Sequence, residues 1–282
     1  MVEQRPFATF LAHAILWLGI AVVAFPVYLT LIASTHEPAE IVNGTMGLLP
    51  GTMGFTHYAD ALFTGTKQIK STPVLQMMGN SLVMALVIAI GKIAISIVSA
   101  YAVVFFRFPL RMFFFWTIFV TLMLPVEVRI YPTYKVVADL GMLNTYAGLT
   151  IPLIASATAT LLFRQFFMTI PDELVEAAKI DGAGPMKFFR DIVLPLSLTN
   201  IAALFVILFI YGWNQYLWPL LITTDSSMDT IVYGIRRMIV TSDANTDWHI
   251  VMATTMLAML PPVFVVFVMQ KLFVKGLVET EK

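Results

Sequence analysis

Long apolar runs alternate with short polar ones along the chain. Runs near 20 residues are what a bilayer core demands of helices that must satisfy their own peptide groups. Six such spans are predicted, roughly at 11–33, 77–106, 110–131, 142–164, 199–223 and 251–273. The expected fold is all-α: a polytopic membrane protein with six transmembrane helices, forming a single transmembrane domain over residues 1–282. The first run, Leu11 to Ile32, contains Pro26 and leads to no small-x-small cleavage pattern, so it reads as an uncleaved span rather than a signal peptide.

Two polar stretches are long enough to be loops with their own structure. Residues 34–76 are punctuated by Pro38, Gly44, Gly47, Pro50, Gly51, Gly54 and Pro73, with one short amphipathic helix expected near 55–64. Residues 224–250 carry Asp225, Asp229, Arg236, Arg237, Asp243 and Asp247. With both termini cytoplasmic, the inside set of basic residues is Arg5, Arg107, Arg111, Arg164, Lys179, Lys187, Arg190, Lys271, Lys275 and Lys282. The outside set is Lys67, Lys70, Arg129, Lys135, Arg236 and Arg237, so the count is ten against six. That excess places 169–195 in the cytoplasm and makes 34–76 and 224–250 outer loops.

Composition agrees with the pattern and excludes several functions. Hydrophobic residues make up 59% of the chain and charged ones 12%, about half the share of a soluble domain, and the mean hydropathy is +0.85. Basic and acidic residues balance at 17 each, which argues against a nucleic-acid partner. No cysteine is present, and His13, His36, His57 and His249 lack metal-ligand spacing. No phosphate-binding glycine loop ending in Gly-Lys-Ser/Thr occurs, and no nucleophile–base–acid set is visible. The chain by itself is expected to be neither an enzyme nor a holder of cofactor or metal.

Residues 169–195 stand out as a charged island between apolar spans. Thr169, Pro171, Asp172 and Glu173 read as a helix start, with Thr169 as the cap and the acids at the positive end of the helix dipole. Ala177 and Ala178 thin one helix face so that another surface can approach. Gly182, Gly184 and Pro185 then end the helix. A second short helix is expected with Phe188, Phe189 and Ile192 as apolar anchors and Lys187 and Arg190 on its polar side, ending at Pro195. On periodicity alone, an amphipathic linker lying on the membrane surface fits as well as a docking element.

The stretch Glu176-Ala177-Ala178, Asp181-Gly182-Ala183 and Ile192-Val193-Leu194-Pro195 resembles the EAA loop of inner-membrane permease subunits of binding-protein-dependent ABC importers. Residues 122–132, 144–149, 162–167 and 211–220 extend the likeness to the carbohydrate-importer branch. Within it, they look closest to subunits serving glycerol 3-phosphate and glycerophosphodiester import, with sugar or polyol import as the alternative. The resemblance implies a bacterial inner-membrane subunit that forms half of a translocation path. It implies as partners a second permease subunit, two ATPase subunits that bind ATP and magnesium, a periplasmic substrate-binding protein and the lipid bilayer. It further implies that Glu176, Ala177, Ala178, Asp181 and Gly182 form the core of ATPase docking, with Phe188 and Phe189 anchoring the second helix. An ion-driven secondary transporter is the remote alternative; it needs buried intramembrane carboxylates, and Glu127 near a span end is the candidate.

Pathway residues are less sharply marked. Asn80, Lys92, Trp213, Asn214, Gln215 and Trp218 are polar or amphipathic groups in or beside spans, and Arg129 sits near a span exit. A phosphate-bearing cargo calls for cations, and Lys92 and Arg129 are the candidates. Lys92 has no second cation at helical spacing in its own span, which favours a structural role over a phosphate clamp. Trp213 and Trp218 fit an interfacial belt or helix packing better than a sugar platform. In related importers the other permease subunit can supply most cargo contacts.

Overall fold

The computed structural model describes residues 6–65, 72–121, 124, 126–239 and 246–278. Lys67, Lys70, Pro125 and Asp243, and the side chains of Glu127, Lys271 and Lys275, lie outside the described residues. All regular structure among the described residues is helical. In chain order it comprises α1 (Pro6–Ala33), α2 (Pro38–Val42), α3 (Gly54–Phe63), α4 (Val74–Phe105), α5 (Arg111–Val120), α6 (Val126–Asp139), α7 (Tyr146–Thr150) and a 3₁₀ turn (Ile151–Leu153). There follow α8 (Ala157–Phe167), α9 (Asp172–Ile180), α10 (Pro185–Phe188), a π turn (Phe189–Val193), α11 (Leu194–Leu196) and α12 (Leu198–Trp213). The chain continues through α13 (Leu217–Ile222), a 3₁₀ turn (Ser226–Met228), α14 (Ile231–Met238) and α15 (Trp248–Val278).

Three stretches are long and apolar enough to cross a bilayer unaided: Thr9–Ala33, Val74–Phe105 and Trp248–Gln270. Two bent pairs pass the same test together, Tyr146–Leu153 with Ala157–Phe167 at 46° and Pro185–Leu196 with Leu198–Trp213 at 69°. The span expected over 110–131 does not run as one helix. α5 has 10 residues, about 15 Å at ~1.5 Å per residue, roughly half of a hydrocarbon core. The chain starts again as the more polar α6, whose first residue, Val126, directly follows Pro125.

The two bends are satisfied locally. Pro152 sits in the 3₁₀ turn, and the Ser156 hydroxyl then accepts from the Ala159 amide at 3.2 Å to start α8. Pro195 cannot donate to a carbonyl one turn back, and the wide π turn Phe189–Val193 precedes it. Ser197 then donates its hydroxyl to the Val193 carbonyl at 2.6 Å, and α12 departs at the bend.

The chain divides into two compact units, Met1–Gln76 with Gly234–Leu260, and Met77–Tyr233 with Pro261–Lys282. In the larger unit the core gathers Met84, Ile88, Val137, Leu149, Trp218 and Ile222. Trp218 donates its indole N–H to the Gly148 carbonyl at 3.0 Å. Gly148 leaves no room for a side chain, because a Cβ there would strike the Met142 carbonyl. A Cβ on Gly212 would lie 2.8 Å from the Ala85 Cα, so α12 and α4 cross backbone to backbone. Close crossing at small residues is how membrane helices gain packing where no hydrophobic drive separates protein from lipid. Asn144, at φ +54°, ties two loops: its amide donates to the Thr224 hydroxyl at 2.9 Å and accepts from the Thr224 and Asp225 amides at 2.7 and 3.0 Å.

In the smaller unit the segment after α1 folds back on the helix end. The Gly51 amide donates to the Thr35 hydroxyl at 2.8 Å, and the Tyr28 hydroxyl to the Leu48 carbonyl at 2.6 Å. The short helix expected near 55–64 corresponds to α3 (Gly54–Phe63). His57 and His249, far apart in sequence, bring their rings to 4.5 Å. No cluster of three metal-ligating side chains occurs among the described residues.

His36 bridges the Glu40 carboxylate through Nδ1 and the Leu49 carbonyl through Nε2. Both acceptors favour the doubly protonated ring; first the Glu40 hydrogen bond, then the Leu49 carbonyl, hold the His36 pKa above its usual 6.5. A pKa raised by folding adds stability that is full below the unfolded value and is lost as pH rises through the folded one. Protection of the 36–53 amides, corrected for intrinsic exchange, should therefore be level below pH 6.5, fall as pH rises to the raised value, and be level again above it. His36→Gln should flatten that profile at the lower level; a flat profile in the native chain would remove the bridge.

Candidate functional site

The 169–195 island folds as two short helices joined by a sharp turn. α9 opens with Pro171 extended at φ −60°, ψ 140° and carries Asp172 and Glu173 in its first turn and Lys179 in its last. Thr169 does not cap it. Its hydroxyl donates back to the Phe166 carbonyl at 2.7 Å, closing the end of α8 instead. The reason is reach: Thr169 stands two residues before the Pro171 cap position, within range of the preceding helix's unpaired carbonyls.

The end of α9 is a Schellman turn. The Ala183 amide donates to the Ala178 carbonyl at 2.8 Å and the Gly182 amide to the Lys179 carbonyl at 3.0 Å. Gly182 takes φ +69°, which an L side chain adopts only at a cost, and nothing lies within 4 Å of a Cβ there. The requirement for glycine is thus conformational rather than steric. Gly184 then leads into α10 with Pro185 at its first position.

These turns sort the island's residues into two faces. Ala178 and Phe188 are buried within the larger unit. Glu176, Ala177, Asp181 and Gly182 are exposed, and Phe189 is half-buried. Two apolar side chains stand outward with them, Ile180 at 86% and Met186 at 74% exposure. A small, mixed apolar and acidic surface therefore faces away from the body, while Ala178 and Phe188 fasten it from behind.

What they fasten to is the end of α4. The Tyr101 hydroxyl donates to the Pro185 carbonyl at 2.7 Å. The Tyr101 ring lies 4.8 Å from Phe189, and Phe105 stands edge-on to Phe188 at 5.3 Å. Phe105 also meets Phe167 of α8 at 6.0 Å. A cleft of about 270 Å³ remains between α4, α9 and α10, with Arg107 and Lys179 among its lining residues. Sequence reading passed over Tyr101; its signal is the i, i+4 pairing with Phe105 at the end of an otherwise aliphatic helix.

The pathway candidates do not form one group. Asn80 has its polar atoms engaged: Nδ2 donates to the Ser227 and Asp229 carbonyls at 2.8 and 2.9 Å, and Oδ1 accepts from the Tyr146 hydroxyl at 2.6 Å. Trp213 is buried and stacks on Phe209 at 6.0 Å, and Trp218 belongs to the core. Asn214 caps α12 and is exposed. Lys92, Arg129 and Gln215, by contrast, line one cavity together with the edge of Trp218. Tyr211, also passed over in the sequence, places its ring 3.8 Å from the Lys92 ammonium.

The family described as "Binding-protein-dependent transport system inner membrane component" matches residues 92–279. The chain is 61% identical over 282 residues to the sn-glycerol-3-phosphate transport system permease protein UgpE of Brucella melitensis, covering all of both chains. Identity to the proteins of that name in Agrobacterium fabrum and Escherichia coli is 62% and 58%, again over the full length of each. Among solved structures, a bacterial ABC transporter involved in the import of the acidic polysaccharide alginate superposes with a TM-score of 0.80 at 19% identity, over 96% of this chain and 98% of that one. At that identity the likeness concerns the fold.

Substitutions at two positions test how the island is held. Gly182→Ala should destabilise the α9 turn by about 1–2 kcal/mol, and Gly182→Asn by less. Tyr101→Phe should remove one of the two hydrogen bonds to the Pro185 carbonyl, which keeps the Phe189 amide, at a cost of about 0.5–1.5 kcal/mol. Both are read from hydrogen exchange of amides 176–189 in the membrane-inserted chain. Exchange unchanged by Tyr101→Phe would show that the hydroxyl does not hold α10.

Proposed function

The chain belongs to the family of binding-protein-dependent transport system inner membrane components, and from that premise we propose that it is the permease subunit of an ATP-driven importer of sn-glycerol 3-phosphate and glycerophosphodiesters. The observation that carries the cargo is the identity of 58–62% to permease proteins of that system, unbroken over all 282 residues. Sugar or polyol import is the neighbouring reading.

In this reading the chain pairs with a second permease subunit and contributes half of the path through a bacterial inner membrane. It crosses six times with both termini in the cytoplasm; α5 and α6 together make the third crossing. Two ATPase subunits bind ATP and magnesium. Residues 169–195 are the coupling loop, and the outward face of Glu176, Ala177, Ile180, Asp181 and Met186 meets an ATPase groove. The exposed apolar pair supplies contact area, and the acids set the orientation. Closure of the ATPases pushes α9 and α10, and the Tyr101–Pro185 bond with the aromatic cluster passes the motion to α4. A substrate-binding protein delivers cargo on the opposite side, where 34–76 and 224–250 lie. This division makes the chain non-catalytic: hydrolysis belongs to the partners, and this subunit supplies the path and its gear.

The test is transport by the assembled complex. The cognate binding protein should bind glycerol 3-phosphate in preference to sugars, and vesicles holding the complex should accumulate it on ATP addition. Glu176→Lys, which reverses a charge at the docking face, should leave the chain inserted and lower both uptake and cargo-stimulated hydrolysis by about tenfold or more. Selective binding and uptake of a sugar would replace the cargo; native rates with Glu176→Lys would remove the docking role.

A further inference from the structure

Lys92 lies deep within α4, about 27 Å of helix from Val74 and about 20 Å from Phe105 at ~1.5 Å per residue. It is only 7% exposed. A lysine at such depth is costly unless it is paired or faces a polar cavity, and it is too far from either helix end to reach water by snorkelling. Among the described residues it has no ion-pair partner. What it touches is the face of Tyr211, with the ammonium 3.8 Å from the ring centroid. A ring quadrupole offsets part of the desolvation of a cation but accepts none of its protons in the way a carboxylate does.

A second cation shares the site from another helix. Arg129 on α6 lines the same cavity, about 170 Å³ in volume. That is room for about six waters at roughly 30 Å³ each, enough for a phosphoryl group. Arg129 likewise has no carboxylate partner among the described residues. Two cations facing one small, partly apolar space repel each other, and that repulsion is relieved by an anion between them. The surroundings suit a phosphate ester. Lysine and arginine offer only donors, and arginine presents them as a fork matched to phosphate oxygens. Gln215 is anchored by its Nε2, which donates to the Tyr211 carbonyl at 3.2 Å, leaving its amide oxygen available to a cargo hydroxyl. Trp218 and Leu153 form an apolar wall. The sequence offers Lys92 and Arg129 as candidate cations, but not as neighbours, because Arg129 arrives from α6.

We propose that Lys92 and Arg129 form an anion seat that holds the phosphoryl group of the cargo during passage through the membrane. This rests on the reading of the chain as an importer of a phosphorylated polyol. The same phosphate chemistry is carried by lipid headgroups, so the source is part of the test.

Native complex, Lys92→Met and Arg129→Gln are reconstituted in vesicles at equal inserted amounts, with saturating binding protein loaded with glycerol 3-phosphate. Each substitution should lower uptake by about tenfold or more, the worth of one charge-assisted hydrogen bond. Hydrolysis stimulated by the loaded binding protein should stay within about twofold of native, and Lys92→Arg should retain most uptake. A purely structural role moves uptake and hydrolysis down together, and that outcome in both variants overturns the seat. Unchanged uptake in both variants overturns it as well. Vesicles with and without anionic phosphatidylglycerol separate the sources: a loss confined to the anionic vesicles assigns the cations to a lipid headgroup and overturns the cargo role. If the native complex moves a sugar and no glycerol 3-phosphate, it is the underlying cargo reading that fails.

Discussion

The cost of an unpaired peptide group or charge in hydrocarbon governs this structure more than any single contact. A soluble protein can leave a helix break to water; a membrane helix cannot. Accordingly the two bends, and the loop tied by Asn144, are filled from within. Ser156 restarts α8, Ser197 covers the end of the π turn before α12, the Trp218 indole takes the Gly148 carbonyl, and Asn144 closes the loop around Thr224. The two bent pairs turn by 46° and 69° at these filled breaks. Lys92 is the charge to which the same rule applies, and the proposed anion would complete its surroundings.

Bends of this kind give the molecule levers. α4 is one continuous helix of 32 residues. It carries Lys92 in its middle and Tyr101 and Phe105 near its end, against the docking island. In the proposed reading, a push on α9 and α10 is delivered to the helix that also bears the proposed cargo contact. The Schellman turn at Gly182 makes this possible, since it folds α9 back so that Ala178 and Phe188 face inward while Glu176, Ala177 and Asp181 remain free to meet a partner.

Much of this was legible in the sequence, for identifiable reasons. Apolar run length marked the long helices α1, α4 and α15, because span length is set by bilayer thickness alone. The glycine and proline punctuation at Gly182, Gly184 and Pro185 marked the island's turn, because positive φ and a missing donor are properties of single residues. The division of 110–131 into α5 and α6 was invisible to a hydropathy window, which averages across a break; Pro125, just before α6, was its mark. Nor was the role of Thr169, which depends on whether the preceding or the following helix end lies closer. The meeting of Lys92 with Arg129 and Tyr211 was hidden for a different reason: three separate helices supply it, and helical spacing reports only neighbours on one helix.

The central claim is that the face bearing Ala177 touches the ATPase while its reverse side holds α4. The chain has no native cysteine, so a single cysteine at Ala177 is a clean probe. Paired with single cysteines along the groove of the ATPase subunit in the assembled complex, it should form a disulfide at one register in the nucleotide-free state and change yield when ATP closes the ATPases. Absence of any cross-link to the ATPase, with the same cysteine labelled by a membrane-impermeant thiol reagent from the periplasmic side, would contradict the docking role and the orientation of the whole chain.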